Sequence, residues 1–254
     1  MGRAAWFAVN LTQAVLVAGA GVVAGVVNAM AGGGSLLTVS LLTVVGDLGG
    51  LVANGTNRIG VVTQNVASVL GYRSEGVSGL RRSVPILIPA VIGSVIGAYA
   101  VSSLLSDTAF ERTFGILMVP LLILSLRPPK ARSDDIMWPT WLTVAVFFAV
   151  GLYGGAFQAG VGLILVLALS HAGLDLVNAN AVKVVVIAVL TVVAVPVFVL
   201  NDQVHWGFAA IVAAGFAVGG WLGARWAVRG GERLIRPVLV VAVLSLAGRM
   251  IGFY

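Results

Sequence analysis

Residues 31–45 read AGGGSLLTVSLLTVV, three glycines followed by an apolar run, at 35–45, of only 11 residues. A helix of that length extends roughly 16 Å, about half the hydrocarbon thickness of a bilayer. The pattern returns at 154–170, which reads GGAFQAGVGLILVLALS and ends in a similarly short apolar run at 160–170. Each short run follows a longer apolar segment across a glycine break. We therefore predict two helical hairpins that enter the membrane and turn back near its midplane, a re-entrant arrangement.

The composition around these breaks is that of a membrane protein. Of the 254 residues, 59% are hydrophobic and only 9% are charged, whereas a soluble domain carries about 25% charged residues. The apolar runs are long and do not alternate, which excludes a membrane β-barrel and predicts helices. The net charge of +6 arises from few acidic residues, so nucleic-acid binding is not predicted. The absence of cysteine excludes disulfides and thiolate metal sites.

The chain also repeats itself. At nearly one offset, 31–37 aligns with 159–165, 51–58 with 176–183, and 93–97 with 219–223. The predicted fold is therefore an all-α polytopic membrane protein with two inverted repeats of five helical segments each. The glycine-broken hairpin forms the first two segments of each repeat. We predict one membrane transport domain at 1–254, with repeat 1 at about 12–126, a polar linker at 127–137 and repeat 2 at about 138–253.

The basic residues predict the orientation. Three spans besides the hairpin in each half invert the second half relative to the first, and this sorts the loops onto two sides. One side collects Arg73, Arg81, Arg82, Arg127, Lys130, Arg132, Arg225, Arg229, Arg233 and Arg236, and the other only Arg3, Arg112 and Arg249. By the positive-inside rule the crowded side is cytoplasmic. We predict a multi-pass protein of the cell (inner) membrane with both termini outside the cytoplasm.

Two basic residues, Arg58 and Lys183, fall inside predicted spans, at equivalent positions of the two repeats. All acidic residues can be placed in loops or at span ends. Cations within a membrane commonly face a cavity and mark a substrate path, so the simplest counter-charge is a bound anion. The alternative is that both side chains snorkel to the nearer membrane face.

Amides and glycine breaks near the two cations complete the predicted anion site. Amide groups donate to oxyanions without adding charge, and free backbone N–H groups at helix N-termini favour anions. The alternative for any one amide is that it only joins helices. No catalytic residue, metal site or cofactor is predicted. The predicted substrate-binding residues are Arg58, Lys183, Asn54, Asn57, Thr56, Gln64, Asn28, Gly33, Gly34, Gln158 and Asn180.

The arrangement resembles the TauE/SafE family of sulfite exporters, over about residues 12–253. The resemblance rests on the GGG break with its short apolar segment, on ANGTN at 53–57 opening a polar span, on the GxxxG span, and on the repeat of this pattern after a basic linker. It implies transport of sulfur-containing anions, namely sulfite or organosulfonates such as sulfoacetate. The second half departs from the pattern, because NANAV at 178–182 replaces the Gly55-Thr56 pair.

Two classes of function compete with transport, an intramembrane enzyme and a non-transporting membrane subunit. An intramembrane protease needs a buried Asp pair or a Ser–His pair, and the spans supply neither, so no enzyme is predicted. The absence of acidic residues and histidine from span interiors predicts an electrogenic exporter without proton coupling. A non-transporting membrane subunit or assembly factor stays open, as does a carrier of another small anion such as a carboxylate. The predicted partners are a small anion and the lipid bilayer, and a homo-oligomer stays open because the sequence does not indicate the oligomeric state.

Overall fold

The structure is a computed structural model that describes residues 9–30, 32–126 and 139–229. Within these residues the chain forms nine α-helices and no strand, which confirms the all-helical prediction. The predicted linker at 127–137 and the predicted last segment at 234–253 lie outside the described residues. The helices are α1 (Leu11–Met30), α2 (Gly34–Val44), α3 (Gly50–Ser74), α4 (Leu80–Leu104), α5 (Asp107–Leu126), α6 (Thr140–Ala156), α7 (Val161–His171), α8 (Leu176–Leu200) and α9 (Trp206–Val228).

Helix lengths separate spans from short segments. Four described helices, α1, α4, α8 and α9, are long and apolar enough to cross a membrane. Helices α2 and α7 have 11 residues each, as the two short apolar runs predict. Helix α3 has 25 residues and carries more buried polar side chains than any other described helix. The chain therefore has the composition and helix lengths of a multi-pass membrane protein.

The second break begins later than the sequence predicts. Helix α6 continues through Gly154 and Gly155 and ends at Ala156. A Cβ at Gly151 or Gly155 would collide with the carbonyls of Ala90 or Ser94 in α4. These glycines therefore permit close helix packing, and the break itself is confined to residues 157–160.

Glycines also lie in two of the most extensive contacts between helices. Helix α1 packs along α9, and α4 packs along α6. In the first pair, Gly215 and Gly219 lie against the backbone of α1, and in the second, Gly93 and Gly97 lie against the backbone of α6. The GxxxG spacings therefore do bring backbones close together, as such spacings do in membrane helices.

Helices α3 and α8 cross at the centre in opposite directions. Near the start of α3, Gly55 adjoins the backbone of Gln203, which lies just past the end of α8. Near the end of α3, Tyr72 packs with Ala181 and Val184 in the first half of α8. Because the two helices run antiparallel, Arg58 and Lys183 approach the centre of the protein from opposite ends.

Charged side chains mark the two ends of the bundle. At one end Glu75, just after α3, binds Arg225 at 2.8 Å and Arg229 at 3.1 Å, both from the end of α9. At the other end Asp107 and Glu111 of α5 accept hydrogen bonds from the first backbone N–H groups of α3. Carboxylates at a helix N-terminus are stabilising, so these contacts fix α3 at both of its ends.

Candidate functional site

The two breaks meet at the centre of the protein. Gly32 lies between α1 and α2 with a φ of +86°, and Gly160 lies just before α7 with a φ of +74°. Glycine adopts this left-handed conformation without steric cost. A Cβ added at Gly162, in the first turn of α7, would lie 2.6 Å from the Cα of Gly32. The ends of α1 and the beginning of α7 are therefore in direct backbone contact.

Arg58 closes the end of the broken helix in the other half of the chain. The last carbonyls of a helix have no partner within it, and the fork of a guanidinium suits several such acceptors at once. Arg58 is fully buried, and its terminal nitrogens bind the last residues of α6 and the residue just beyond. They donate to the carbonyls of Gly154 (3.2 Å), Gly155 and Ala156 (3.1 Å) and to Oε1 of Gln158 (3.0 Å).

Lys183 does the same for the broken helix of the first half. It is fully buried, and its Nζ donates to the carbonyls of Asn28 (2.9 Å) and Ala29 (3.0 Å) in the last turn of α1. Its third described bond goes to Oδ1 of Asn180, at 2.7 Å. Tyr72 also donates its hydroxyl to the Ala29 carbonyl, at 3.3 Å. A cation near a helix C-terminus is favoured by the helix dipole.

These contacts bear on the two alternatives for the cations. Snorkelling is wrong, because neither Arg58 nor Lys183 reaches the surface of the protein. The binding of both cations to helix-end carbonyls was not predicted from the sequence. Carbonyls satisfy hydrogen bonds, but a helix C-terminus carries only about half a negative charge. All of the hydrogen-bond acceptors of Arg58 are uncharged.

Most of the predicted amides line the same two helix ends. Asn54 donates to the carbonyl of Ala156 at 2.9 Å, beside Arg58. Asn28 donates to Oε1 of Gln64 at 2.5 Å, and Gln64 in turn donates to the hydroxyl of Ser68 at 2.9 Å. The structure therefore gathers Arg58, Asn54 and Gln158 at the end of α6, and Lys183, Asn180, Asn28 and Gln64 at the end of α1.

Asn57 and the glycines of the first break lie at the start of α2. Oδ1 of Asn57 accepts a 2.5 Å hydrogen bond from the hydroxyl of Thr38, one turn into this helix. Gly33 is the N-cap and Gly34 the first residue, and both are buried. In the described residues, neither Gly33 nor Gly160 provides a side-chain cap for its short helix.

Thr56 is not part of this group. Its hydroxyl oxygen accepts a 2.8 Å hydrogen bond from the backbone N–H of His205, at the start of α9. The structure therefore places the Thr56 hydroxyl at the contact between α3 and α9, and not beside the cations as the sequence predicts.

Five buried side-chain atoms have no hydrogen-bond partner in the described residues. They are Arg58 Nε, Asn57 Nδ2, the acceptors Asn54 Oδ1 and Asn65 Oδ1, and the hydroxyl of Ser170. Arg58 Nε and Asn57 Nδ2 are the two N–H donors among them, and they belong to consecutive residues of α3. An unsatisfied buried donor costs about 1 to 3 kcal/mol, more when it is charged. Both groups are donors, so the ligand that suits them is an acceptor such as an oxyanion.

Three residues that touch the site were not predicted from the sequence. Thr38 binds Asn57, and Thr191 donates to Oε1 of Gln158 at 3.3 Å. Thr191 lies two steps of four residues beyond Lys183, so its helical spacing could have indicated it. The ring of Phe198 lies 4.3 Å from the Arg58 guanidinium, and no pattern in the sequence marks it.

Comparisons with known proteins agree with this architecture. The sequence matches the family described as Sulfite exporter TauE/SafE over residues 17–250. A "Probable membrane transporter protein" of Haemophilus influenzae is 28% identical, over 91% of each chain. The "Probable membrane transporter protein ORF9" of a Sinorhizobium species is 26% identical, over 91% of this chain and 89% of its own.

A relative from Bacillus subtilis matches over a similar share of the chain. The "Probable membrane transporter protein YunE" of Bacillus subtilis is 26% identical over 91% of this chain and 93% of its own. No solved structure shows a significant match to the chain. With four apolar spanning helices in the described residues and a family match over most of its length, the chain belongs to the TauE/SafE family of membrane transporters.

Proposed function

We propose that this protein carries small sulfur-containing anions, sulfite or organosulfonates such as sulfoacetate, out of the cell. The observation that carries the proposal is a pair of buried N–H donors without a partner in the described residues, Arg58 Nε at the end of α6 and Asn57 Nδ2 beside the first turn of α2. Backbone N–H groups of an uncapped helix start add to them. The family supplies the sulfur chemistry. The same site takes no part in catalysis and holds no cofactor.

The substrate binds at the centre, among both sets of predicted residues. Gly33 and Gly34 contribute N–H groups, and Arg58 and Asn57 contribute the unpartnered donors. Because the breaks touch at Gly32 and Gly162, the clusters at the ends of α6 and α1 belong to one site. The remaining contributors are Lys183, Asn54, Gln64, Asn28, Gln158 and Asn180, and Thr56 only joins α3 to α9.

The two halves are inverted repeats in this proposal. Three features of the described residues support it. The short helices α2 and α7 have equal lengths, α3 and α8 run antiparallel, and α1 packs on α9 as α6 packs on α4. Repeats of this kind place substrate near the bilayer midplane between broken helices.

The end of the bundle that carries Glu75, Arg225 and Arg229 faces the cytoplasm of the inner membrane, and both termini lie outside. This follows from the positive-inside rule. The contacts of Glu75 with both arginines support the grouping, because they place the loop after α3 and the end of α9 on one side. Arg112, from the sparsely basic group, lies on α5 near Glu111, which contacts the opposite end of α3.

Transport is electrogenic and independent of protons. In the described helices, acidic and histidine side chains lie only near helix ends, so no buried relay of such groups runs through the centre. An inside-negative potential expels anions with roughly 2.3 kcal/mol per charge per 100 mV. Export therefore requires no second ion.

The testing experiment is a binding screen of the purified protein, followed by flux from liposomes. Sulfite, sulfate, thiosulfate, sulfoacetate, taurine and simple carboxylates are compared by calorimetry. Preference for sulfite or sulfoacetate supports the proposal, and preference for a carboxylate moves it to another anion class. Binding without flux by the protein alone would instead favour a subunit of a larger assembly.

A further inference from the structure

We propose that Arg58 and Lys183 are reciprocal locks, each holding the broken-helix end of the opposite half, and that a substrate anion binds by drawing these cations away from the carbonyls. This inference rests on the proposed function and concerns how the same site opens. Arg58 of α3 holds α6, and Lys183 of α8 holds α1. Among the described residues, Tyr72 is the one side chain that donates to an end carbonyl of the broken helix in its own half, at Ala29; Arg58, Asn54 and Lys183 all donate to the opposite half.

A helix end whose carbonyls lack hydrogen-bond partners is unfavourable inside a membrane. The carbonyls of Gly154, Gly155 and Ala156 lie where no water reaches Arg58, and an unsatisfied backbone group in such surroundings is strongly unfavourable. The guanidinium binds all three, although Gly154 also accepts from the Gln158 N–H and Ala156 from Asn54. Without a competing acceptor, the locked arrangement is therefore the stable one.

The guanidinium binds these carbonyls more weakly than it would bind an anion. A carbonyl is a neutral acceptor, and hydrogen bonds between two charged groups are stronger than those to neutral ones. The hydrogen-bond acceptors of Arg58 are three carbonyls and one amide. An oxyanion that reaches the guanidinium is thus a better partner than the helix end.

An anion makes its first contact at the Arg58 and Asn57 donors. Arg58 Nε and Asn57 Nδ2 have no partner to give up in the part of the chain that the structure describes, so an anion binds there before any lock is disturbed. Once it is bound beside the guanidinium, it competes for the terminal nitrogens. Because Gly32 contacts Gly162 and the two clusters belong to one site, the same anion also competes for Lys183.

In the absence of anion, removing one lock should loosen only the helix end that this lock holds. Variants of Arg58 and Lys183 should therefore affect opposite halves of the chain. Backbone N–H groups that report the helix ends are Gln158, bound to the Gly154 carbonyl, and Gly32, bound to the Asn28 carbonyl. Their hydrogen exchange is measured by mass spectrometry in lipid nanodiscs, on peptides covering 153–160 and 26–34. Arg58→Gln should speed exchange roughly ten- to a hundredfold at 153–160 and leave 26–34 unchanged.

Lys183→Gln should do the reverse, accelerating exchange at 26–34 and sparing 153–160. Each variant is thus the other's control, and Arg225→Gln, which loses contacts with Glu75 and with the Trp221 ring, should alter neither peptide. Equal acceleration of both peptides by either variant, or acceleration confined to the mutated helix, would overturn the locks. If a glutamine variant does not fold, Arg58→Lys and Lys183→Arg keep the charge, and each should give a smaller change at the same remote peptide.

The second arm adds sulfite to the wild-type protein under conditions in which calorimetry shows binding. Both peptides should then exchange faster, in proportion to occupancy. Bound sulfite with unchanged or slower exchange at both ends would show that the anion binds without releasing the locks. If none of the screened anions binds, the proposed function fails together with anion-driven release, while the first arm still decides whether the locks exist.

Discussion

Gly32 and Gly162, which come from the two broken hairpins, are in direct backbone contact at the centre of the protein. Each is the nearest neighbour that a Cβ on the other would meet. This contact connects the end of α1 to the start of α7, and it explains why small residues are needed at both breaks. It also means that the two halves of the site are adjusted together.

The substitution Gly162→Ala should therefore separate the breaks. The new Cβ would lie 2.6 Å from the Cα of Gly32, and forced overpacking of this kind costs about 1 to 3 kcal/mol. We expect a lower melting temperature and loss of anion flux in liposomes. Gly19→Ala is the matched control, because no atom of the described residues lies within 4 Å of its added Cβ. Wild-type flux and stability in Gly162→Ala would contradict the importance of the contact.

Arg58→Ala should remove anion binding. It deletes an unpartnered charged donor and loosens the end of α6, and a hydrogen bond to a charged group contributes roughly 1.5 to 3 kcal/mol. Losses of about ten- to a hundredfold in sulfite affinity are expected by calorimetry. Lys183→Ala should weaken binding as well. Unchanged affinity in a well-folded Arg58→Ala protein would remove Arg58 from the site.

Asn57→Asp tests the second unpartnered donor. The change keeps the shape of the side chain, deletes Nδ2 and adds a carboxylate beside Arg58. The guanidinium then gains a permanent counter-charge, so sulfite binding should fall at least about tenfold. Asn201→Asp, at an exposed amide after α8, is the control and should bind as the wild type does. Equal binding by both variants would show that Asn57 does not face the anion.

The proposed orientation is open to chemical labelling, because the chain has no native cysteine. Ser78, in the exposed loop after α3, and Ser106, in the exposed loop before α5, are close in size to cysteine. In intact cells an impermeant thiol reagent should label Ser106→Cys and spare Ser78→Cys until the membrane is permeabilised. Ser133→Cys should behave like Ser78→Cys. The opposite labelling pattern would invert the topology.

Flux should respond to membrane potential alone. Liposomes loaded with potassium and treated with valinomycin set the potential, with no sodium or pH gradient present. A potential of 100 mV is worth roughly 2.3 kcal/mol per charge, about fiftyfold in the gradient of a monovalent anion. The direction of net sulfite movement should reverse with the sign of the potential. Flux that ignores the potential, or waits for a proton gradient, would mean that a coupled ion is required.

The positions of the breaks and of the two buried cations could be predicted from the sequence, because both depend on local patterns. Short apolar runs after glycines led to α2 and α7 with nearly the right bounds. A charged residue within an apolar run is conspicuous in any membrane sequence. The recurrence of Arg58 and Lys183 at equivalent positions then marked the site.

The partners of these cations could not be predicted, because they come from distant parts of the chain. Arg58 binds residues about 100 positions away, and Lys183 binds residues about 155 positions away; no local pattern encodes such pairing. Glycine was ambiguous for a similar reason. Gly154 and Gly155 looked like a break, but the close approach of α4 required Gly155 within a continuous helix.

Each half of the chain supplies the cation that binds the broken helix of the other half, and this has a consequence for biosynthesis. The carbonyls of Asn28 and Ala29 meet Lys183 only after the ribosome has added more than 150 further residues. Arg58 is made early and waits for α6 in the same way. The first half therefore enters the bilayer with its broken hairpin incomplete, and its final closure coincides with the arrival of α8. Damage to the second half should consequently appear as instability of the first.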